Sequence, residues 1–168
     1  MSTPSWFSDG WPHVWLPYTQ MQTAAPPVPV SHAEGCYIYG EDGSRLIDAI
    51  SSWWSVSHGH QHPHMVQAMK AQLDKMSHVM FAGLAHEAAY KLAARLSAFA
   101  PDGLERVFFS DSGSTSVEVA LKMALQYWKN TGKPRKNKFI CLENGYHGDT
   151  FGAMAVSGRG GTSGTAGS

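Results

Sequence analysis

A chain of 168 residues, 43% hydrophobic and 15% charged, has enough apolar content for a core and is not a disordered or solvating segment. Lysine plus arginine and aspartate plus glutamate balance at 13 each, so the charge makes no case for nucleic acid as a partner. Cys36 and Cys141 stand far apart with no C-x-x-C, no apolar run approaches the roughly 20 residues of a membrane span, and the start lacks a basic, apolar leader; a cytoplasmic protein with reduced thiols and no membrane partner is expected.

From Met1 to Val30 the chain is expected to be irregular, because Pro4, Pro12, Pro17, Pro26, Pro27 and Pro29 forbid long helices. This arm still carries Trp6, Phe7, Trp11, Trp15 and Tyr18, aromatic mass that must pack on something outside the arm. Gly35 to Ile50 reads as a hairpin: strands at Cys36–Tyr39 and Arg45–Asp48, turned by Glu41-Asp42-Gly43. Ser51 to Ser57, SSWWSVS, places Trp53 and Trp54 side by side. Adjacent side chains of a strand face opposite ways, so either one tryptophan lines a surface or pocket, or each is buried by different neighbours.

The run His58 to His64 alternates histidines, and imidazole is a common metal ligand. Gly59 and Pro63 break any regular strand there and no carboxylate or thiolate stands beside the set, so a loop leading into a helix is preferred and no metal is expected. Helices are expected at Pro63–Val79, with Met65, Ala68, Met69, Leu73 and Met76 as its apolar stripe, and at His86–Ala100, with Ala89, Leu92, Ala93 and Leu96 inward.

Arg106 to Ser110 reads as a short buried strand, SDSGS (Ser110–Ser114) as a tight turn, and Val117, Leu121, Ala124 and Trp128 as one face of the helix that follows, capped by Ser114, Thr115 or Ser116. A second apolar strand is expected at Lys138–Glu143. Two strands joined by a helix suggest parallel pairing in an α/β sheet, with ligands at their carboxyl ends. The organisation expected is an arm and hairpin over 1–57, the first part of an α/β domain over 58–157, and a Gly/Ser/Thr-rich, linker-like tail over 158–168.

Strand, small-residue turn and helix make an anion site, since the free N–H groups of the first helical turn face the turn and the dipole favours negative charge. Gly113 lets a ligand approach, and Ser112 and Ser114 add hydroxyls. On these residues alone a phosphate cradle and an ordinary capped helix are both open. The NGYHGD loop (Asn144–Asp149) would leave the second strand at the same sheet edge and bring Tyr146 there.

The stretches WLPYTQM (Trp15–Met21), DGSRLIDAISSWW (Asp42–Trp54), HGHQHP (His58–Pro63), SDSGSTSVEVALKMALQYW (Ser110–Trp128) and NGYHGDTFGAMAVS (Asn144–Ser157) together resemble the class III pyridoxal-phosphate-dependent aminotransferases. The resemblance covers about Trp6 to Ser157. It implies the N-terminal portion of the fold type I transferase fold, an α/β fold, in an enzyme that works as a homodimer with pyridoxal 5'-phosphate. The paired tryptophans and the ALQYW run narrow it to members that transfer the amino group of S-adenosylmethionine to 8-amino-7-oxononanoate in biotin synthesis. It implies that Gly113 and Ser114 hold the cofactor phosphate, that Tyr146 lies beside the cofactor ring and the substrate, and that Tyr18, Trp53 and Trp54 contribute to the substrate pocket.

The resemblance also implies a lysine that binds the cofactor covalently and an acid on the pyridine nitrogen, and both belong to strands beyond Ser157 in the family. None of Lys70, Lys75, Lys91, Lys122, Lys129, Lys133, Lys136 or Lys138 matches that lysine, so no catalytic residue is assigned and this chain alone is expected not to turn over. Three rivals stand beside this reading: a serine hydrolase using Ser112, a metal module using the histidine run, and a non-catalytic phosphate- or subunit-binding remnant.

Overall fold

The structure, a computed structural model, describes residues 3–158. Contacts between residues divide the chain into two units, Met1–Leu84 and Ala85–Ser168. The expected tail falls almost wholly outside the described residues; only Gly158 of it is seen, its N–H donating to Gly145 O at 2.9 Å.

The first unit begins with α1 (Ser5–Gly10) and a 3-10 turn (Trp11–His13), where Phe7 and Trp11 stack at 6.3 Å. The expected hairpin is present as β2 (Tyr37–Gly40) and β3 (Arg45–Ile47). Its turn works because Gly43 takes φ +82°, and because Asp42 Oδ1 accepts the Ser44 N–H at 2.9 Å while Gly40 N–H donates to Ser44 O. Tyr37 pairs with Ile47, Ile38 with Leu46 and Tyr39 with Arg45. A third strand, β1 (Val30–Glu34), pairs antiparallel with β2 and gives the order β1-β2-β3. The three prolines just before it mask this strand in the sequence; its irregular register between Val30 and His32 suits an edge position. Then come α2 (Ser51–Trp54), a single turn at positive φ, and α3 (Pro63–Lys75), with Pro63 at its first position. This helix stops four residues before the expected Val79, where Met76 turns extended at φ −170°.

The second unit holds α4 (Glu87–Phe99), α5 (Gly113–Asn130) and α6 (Phe151–Ala155). His86 caps α4, its ring Nδ1 accepting the Ala89 N–H. The two strands expected at Arg106–Ser110 and Lys138–Glu143 are not formed, and neither is their parallel pairing: among the described residues both stretches lack ladder bonds. The reason is physical. A helix satisfies its backbone within its own segment, whereas a central strand needs a neighbour on each edge, and the described residues supply none. Phe108, Ile140 and Leu142 are accordingly exposed, at 70%, 101% and 78%. The apolar stripes of α3 and α4 face solvent as well, and the only fully buried hydrophobic side chain among the described residues is Ala153.

Candidate functional site

At the start of α5 the cap is Ser112, not Ser114, Thr115 or Ser116 as the sequence suggested. Ser112 has extended dihedrals (φ −156°, ψ 166°), its Oγ accepts the Thr115 N–H at 3.2 Å, and its carbonyl accepts the Ser116 N–H at 2.9 Å. Gly113 and Ser114 are then the first two helical residues, whose N–H groups no helical carbonyl can reach. Nothing lies within 4 Å of where a Gly113 side chain would begin, so the turn is open.

Ser114 joins this turn to the NGYHGD loop: its Oγ accepts the Asp149 N–H at 3.2 Å. The approach is close because Gly148 has no side chain; a Cβ there would overlap Ser114 Oγ and lie 2.9 Å from Ser114 Cα. One helical turn further, Glu118 Oε1 accepts the Gly152 N–H at 2.6 Å. Thr150 Oγ1 is buried beside this carboxylate without a geometrically complete hydrogen bond. The Thr150 hydroxyl and then the Gly152 N–H hold the Glu118 carboxyl below its usual range. Tyr146 is presented on the same loop and donates its hydroxyl to Asp149 Oδ2 at 2.9 Å. Gly113, Ser114 and the loop bearing Tyr146 are thus brought together, as expected from their order after the two stretches, although those stretches are not strands.

The first unit gathers the other candidates. The rings of Tyr18 and Trp53 meet edge to face, 6.0 Å between centroids, across 35 residues of chain. Trp54 stands 82% exposed beside them and Trp53 57%, so neither tryptophan is buried. Trp53 is aimed by α2, whose residues Ser51, Ser52, Trp53 and Trp54 have φ of +49°, +47°, +58° and +66°. A left-handed turn of four side-chain-bearing residues costs about 1–2 kcal/mol per residue. Asp48 ties it down at Ser52, where Oδ1 accepts the N–H at 2.8 Å and Oδ2 the hydroxyl at 2.7 Å, alongside the Trp54 N–H to Ile50 O bond at 3.0 Å and the Ser55 hydroxyl to Ser52 O bond at 2.7 Å. The Ser52 hydroxyl, then its N–H, then His60 keep the Asp48 carboxyl ionised below the usual carboxylate range.

His60 is therefore engaged, with Nε2 2.8 Å from Asp48 Oδ2 and its backbone bridged to Gly35. Of the other histidines in the run, His58 and His62 meet edge to face at 6.3 Å, and no group of three potential ligands suited to a metal ion occurs among the described residues. The Ser112 hydroxyl, the nucleophile of the hydrolase rival, is committed to capping Thr115. Sequence reasoning missed Asp48 and Glu118. The signal for Asp48 was an acid at the end of the expected strand, four residues ahead of a small hydroxyl residue; Glu118 carried no comparable signal.

The Aminotransferase class-III family model matches residues 18–166. Among curated proteins, the adenosylmethionine-8-amino-7-oxononanoate aminotransferase of Synechococcus elongatus is 50% identical over 148 residues, covering 88% of this chain and 35% of that protein. The enzyme of the same name from Corynebacterium glutamicum is 50% identical over 147 residues, 86% and 34%. Among solved structures, adenosylmethionine-8-amino-7-oxononanoate aminotransferase of Methanocaldococcus jannaschii superposes with TM-score 0.85 at 36% identity, over 91% of this chain and 35% of that one. An omega transaminase of Pseudomonas jessenii, solved in complex with PMP, gives 0.84 at 29% identity, over 92% and 35%. The fold expected from the sequence, the N-terminal portion of the fold type I transferase fold, is that of these neighbours. The chain spans about a third of the length of the relatives it matches. This chain belongs to the class III aminotransferase family.

Proposed function

We propose that this chain supplies the cofactor-phosphate seat and one substrate wall of a pyridoxal-phosphate aminotransferase that moves the amino group of S-adenosylmethionine onto 8-amino-7-oxononanoate. The observation that carries the proposal is the open start of α5, where Gly113 and Ser114 offer free N–H groups and the Ser114 hydroxyl ties in the Tyr146 loop. That geometry fits a phosphate monoester: two convergent backbone donors, a hydroxyl, a helix dipole and no side chain in the way. Gly113 and Ser114 would hold the phosphate, and Tyr146 would stand beside the ring. The bound cofactor would supply an electron sink at the substrate's amino-bearing carbon.

Tyr18 and Trp53 suit the other task. An edge-to-face aromatic pair offers apolar surface to a long aliphatic keto acid, and the tyrosine hydroxyl offers a polar tip. The names of the relatives supply the substrates in this proposal, and the homodimer follows from the family resemblance. A non-catalytic, phosphate-binding remnant uses the same seat and differs only in lacking turnover.

The test is a graft. Residues 18–157 replace the matching segment of the Synechococcus relative, and the product diamine is assayed with S-adenosylmethionine as donor. A cofactor-loaded graft that forms the diamine supports the proposal. One that folds and takes up cofactor but gives no product from these two substrates contradicts it.

A further inference from the structure

The tryptophan presented in α2 is aimed by a turn that its own residues disfavour. Ser51, Ser52, Trp53 and Trp54 all carry a Cβ and all sit at positive φ. Such a turn persists only where its surroundings over-determine it. Three parts of the first unit converge on one carboxylate to do this. The Asp48 side chain is 5% exposed and lies just past β3; its own N–H donates to Cys36 O at 2.9 Å, fixing it to the residue just before β2. Its two oxygens take the N–H and the hydroxyl of Ser52, one residue before Trp53. The remaining contact is His60 Nε2 at 2.8 Å, and His60 is pinned in turn: its N–H donates to Gly35 O at 2.8 Å and its carbonyl accepts the Gly35 N–H at 3.1 Å. Gly59 permits this bridge, since it takes φ +82° and a Cβ there would stand 3.1 Å from Gly35 O.

We infer that Asp48, oriented by His60, is a positioning residue that sets Trp53 against Tyr18. This rests on the reading of those two rings as a substrate wall. The carboxylate touches no reacting group in this scheme. Its role is to hold Ser52 in a left-handed conformation so that the next side chain meets the tyrosine of the arm, rather than turning to the side a right-handed backbone would give it.

The test uses the full 168-residue chain and the near-ultraviolet circular dichroism that Trp53 contributes, obtained as the difference between each protein and its Trp53→Phe counterpart. The parent should show a Trp53 band that is lost with Tyr18→Leu. Asp48→Ala should lose the same band while the far-ultraviolet signal of the helices stays at the parent level. Asp48→Asn, which keeps an oxygen for the Ser52 N–H, should retain part of it. Adding Ser52→Gly to Asp48→Ala should restore part of the band, because glycine adopts positive φ without help. A residue that merely stabilised the unit would show no such rescue. A full Trp53 band in Asp48→Ala overturns the inference, as does a loss that tracks the helical signal and that Ser52→Gly leaves unrepaired. Quenching of Trp53 fluorescence by S-adenosylmethionine tests the underlying reading separately: a parent with an intact band and no Trp53-dependent quenching sinks the substrate-wall reading while the positioning role stands.

Discussion

Replacing Gly148 with alanine should detach the NGYHGD loop from α5. Two costs add. Gly148 has φ +118°, a region that side-chain-bearing residues avoid at about 1–2 kcal/mol. The new Cβ would also overlap Ser114 Oγ and sit 2.7 Å from Ser114 Cβ and 2.9 Å from Ser114 Cα. The hydroxyl can rotate away, but the Cα belongs to the first turn of an 18-residue helix, so the loop must move, an overpacking cost of about 1–3 kcal/mol. The sum is roughly 2–5 kcal/mol, and its low end is roughly a thirtyfold loss of protection against local opening. Hydrogen exchange at the Asp149 and Gly152 amides reads it directly, since these donate to Ser114 and Glu118. Gly113→Ala is the control: nothing lies within 4 Å of its Cβ, and its exchange at the same amides should match the parent. Parent-like protection in Gly148→Ala would refute the close-approach argument.

Further outcomes follow from the same geometry. Ser112→Ala removes the α5 cap and should cost about 1 kcal/mol in urea unfolding of the second unit; an unchanged midpoint would contradict the assignment. Glu118 has a lowered folded pKa, so its contribution is present above the ordinary carboxylate value of about 4.3 and is lost as pH falls through the folded value; Glu118→Gln should flatten the melting temperature's acid limb below about pH 4.3, and an unchanged acid limb would count against the Gly152 contact. Gly113→Val should leave the melting temperature near the parent's but sharply weaken pyridoxal phosphate binding by absorbance titration, and unchanged affinity would move the phosphate elsewhere.

Local signals were legible in the sequence and non-local ones were not. The bodies of α3, α4 and α5 lie where 3.6-residue periodicity put them, and Gly43 turned the hairpin as its neighbours suggested. The strands at Arg106–Ser110 and Lys138–Glu143 failed because an apolar run specifies a willingness to pair, while pairing depends on segments elsewhere. The cap went to Ser112 because four hydroxyl residues crowd the helix start and composition does not rank them. In the site, SDSGS and NGYHGD stood out by their small residues, and Tyr18 and Trp53 were named through the resemblance, which did not say that their rings meet. The Asp48 clamp escaped because it stabilises a left-handed turn, which no propensity scale anticipates for Ser-Ser-Trp-Trp.

The central claim is that the start of α5 receives the cofactor phosphate. Amide resonances of the labelled chain, recorded during titration with pyridoxal phosphate and then with phosphate-free pyridoxal, test it at single residues. The account predicts shifts at Gly113, Ser114 and Asp149 with the phosphorylated compound, absent with pyridoxal and abolished by Gly113→Val. Shifts that occur equally with pyridoxal, or that leave the start of α5 untouched, would contradict it.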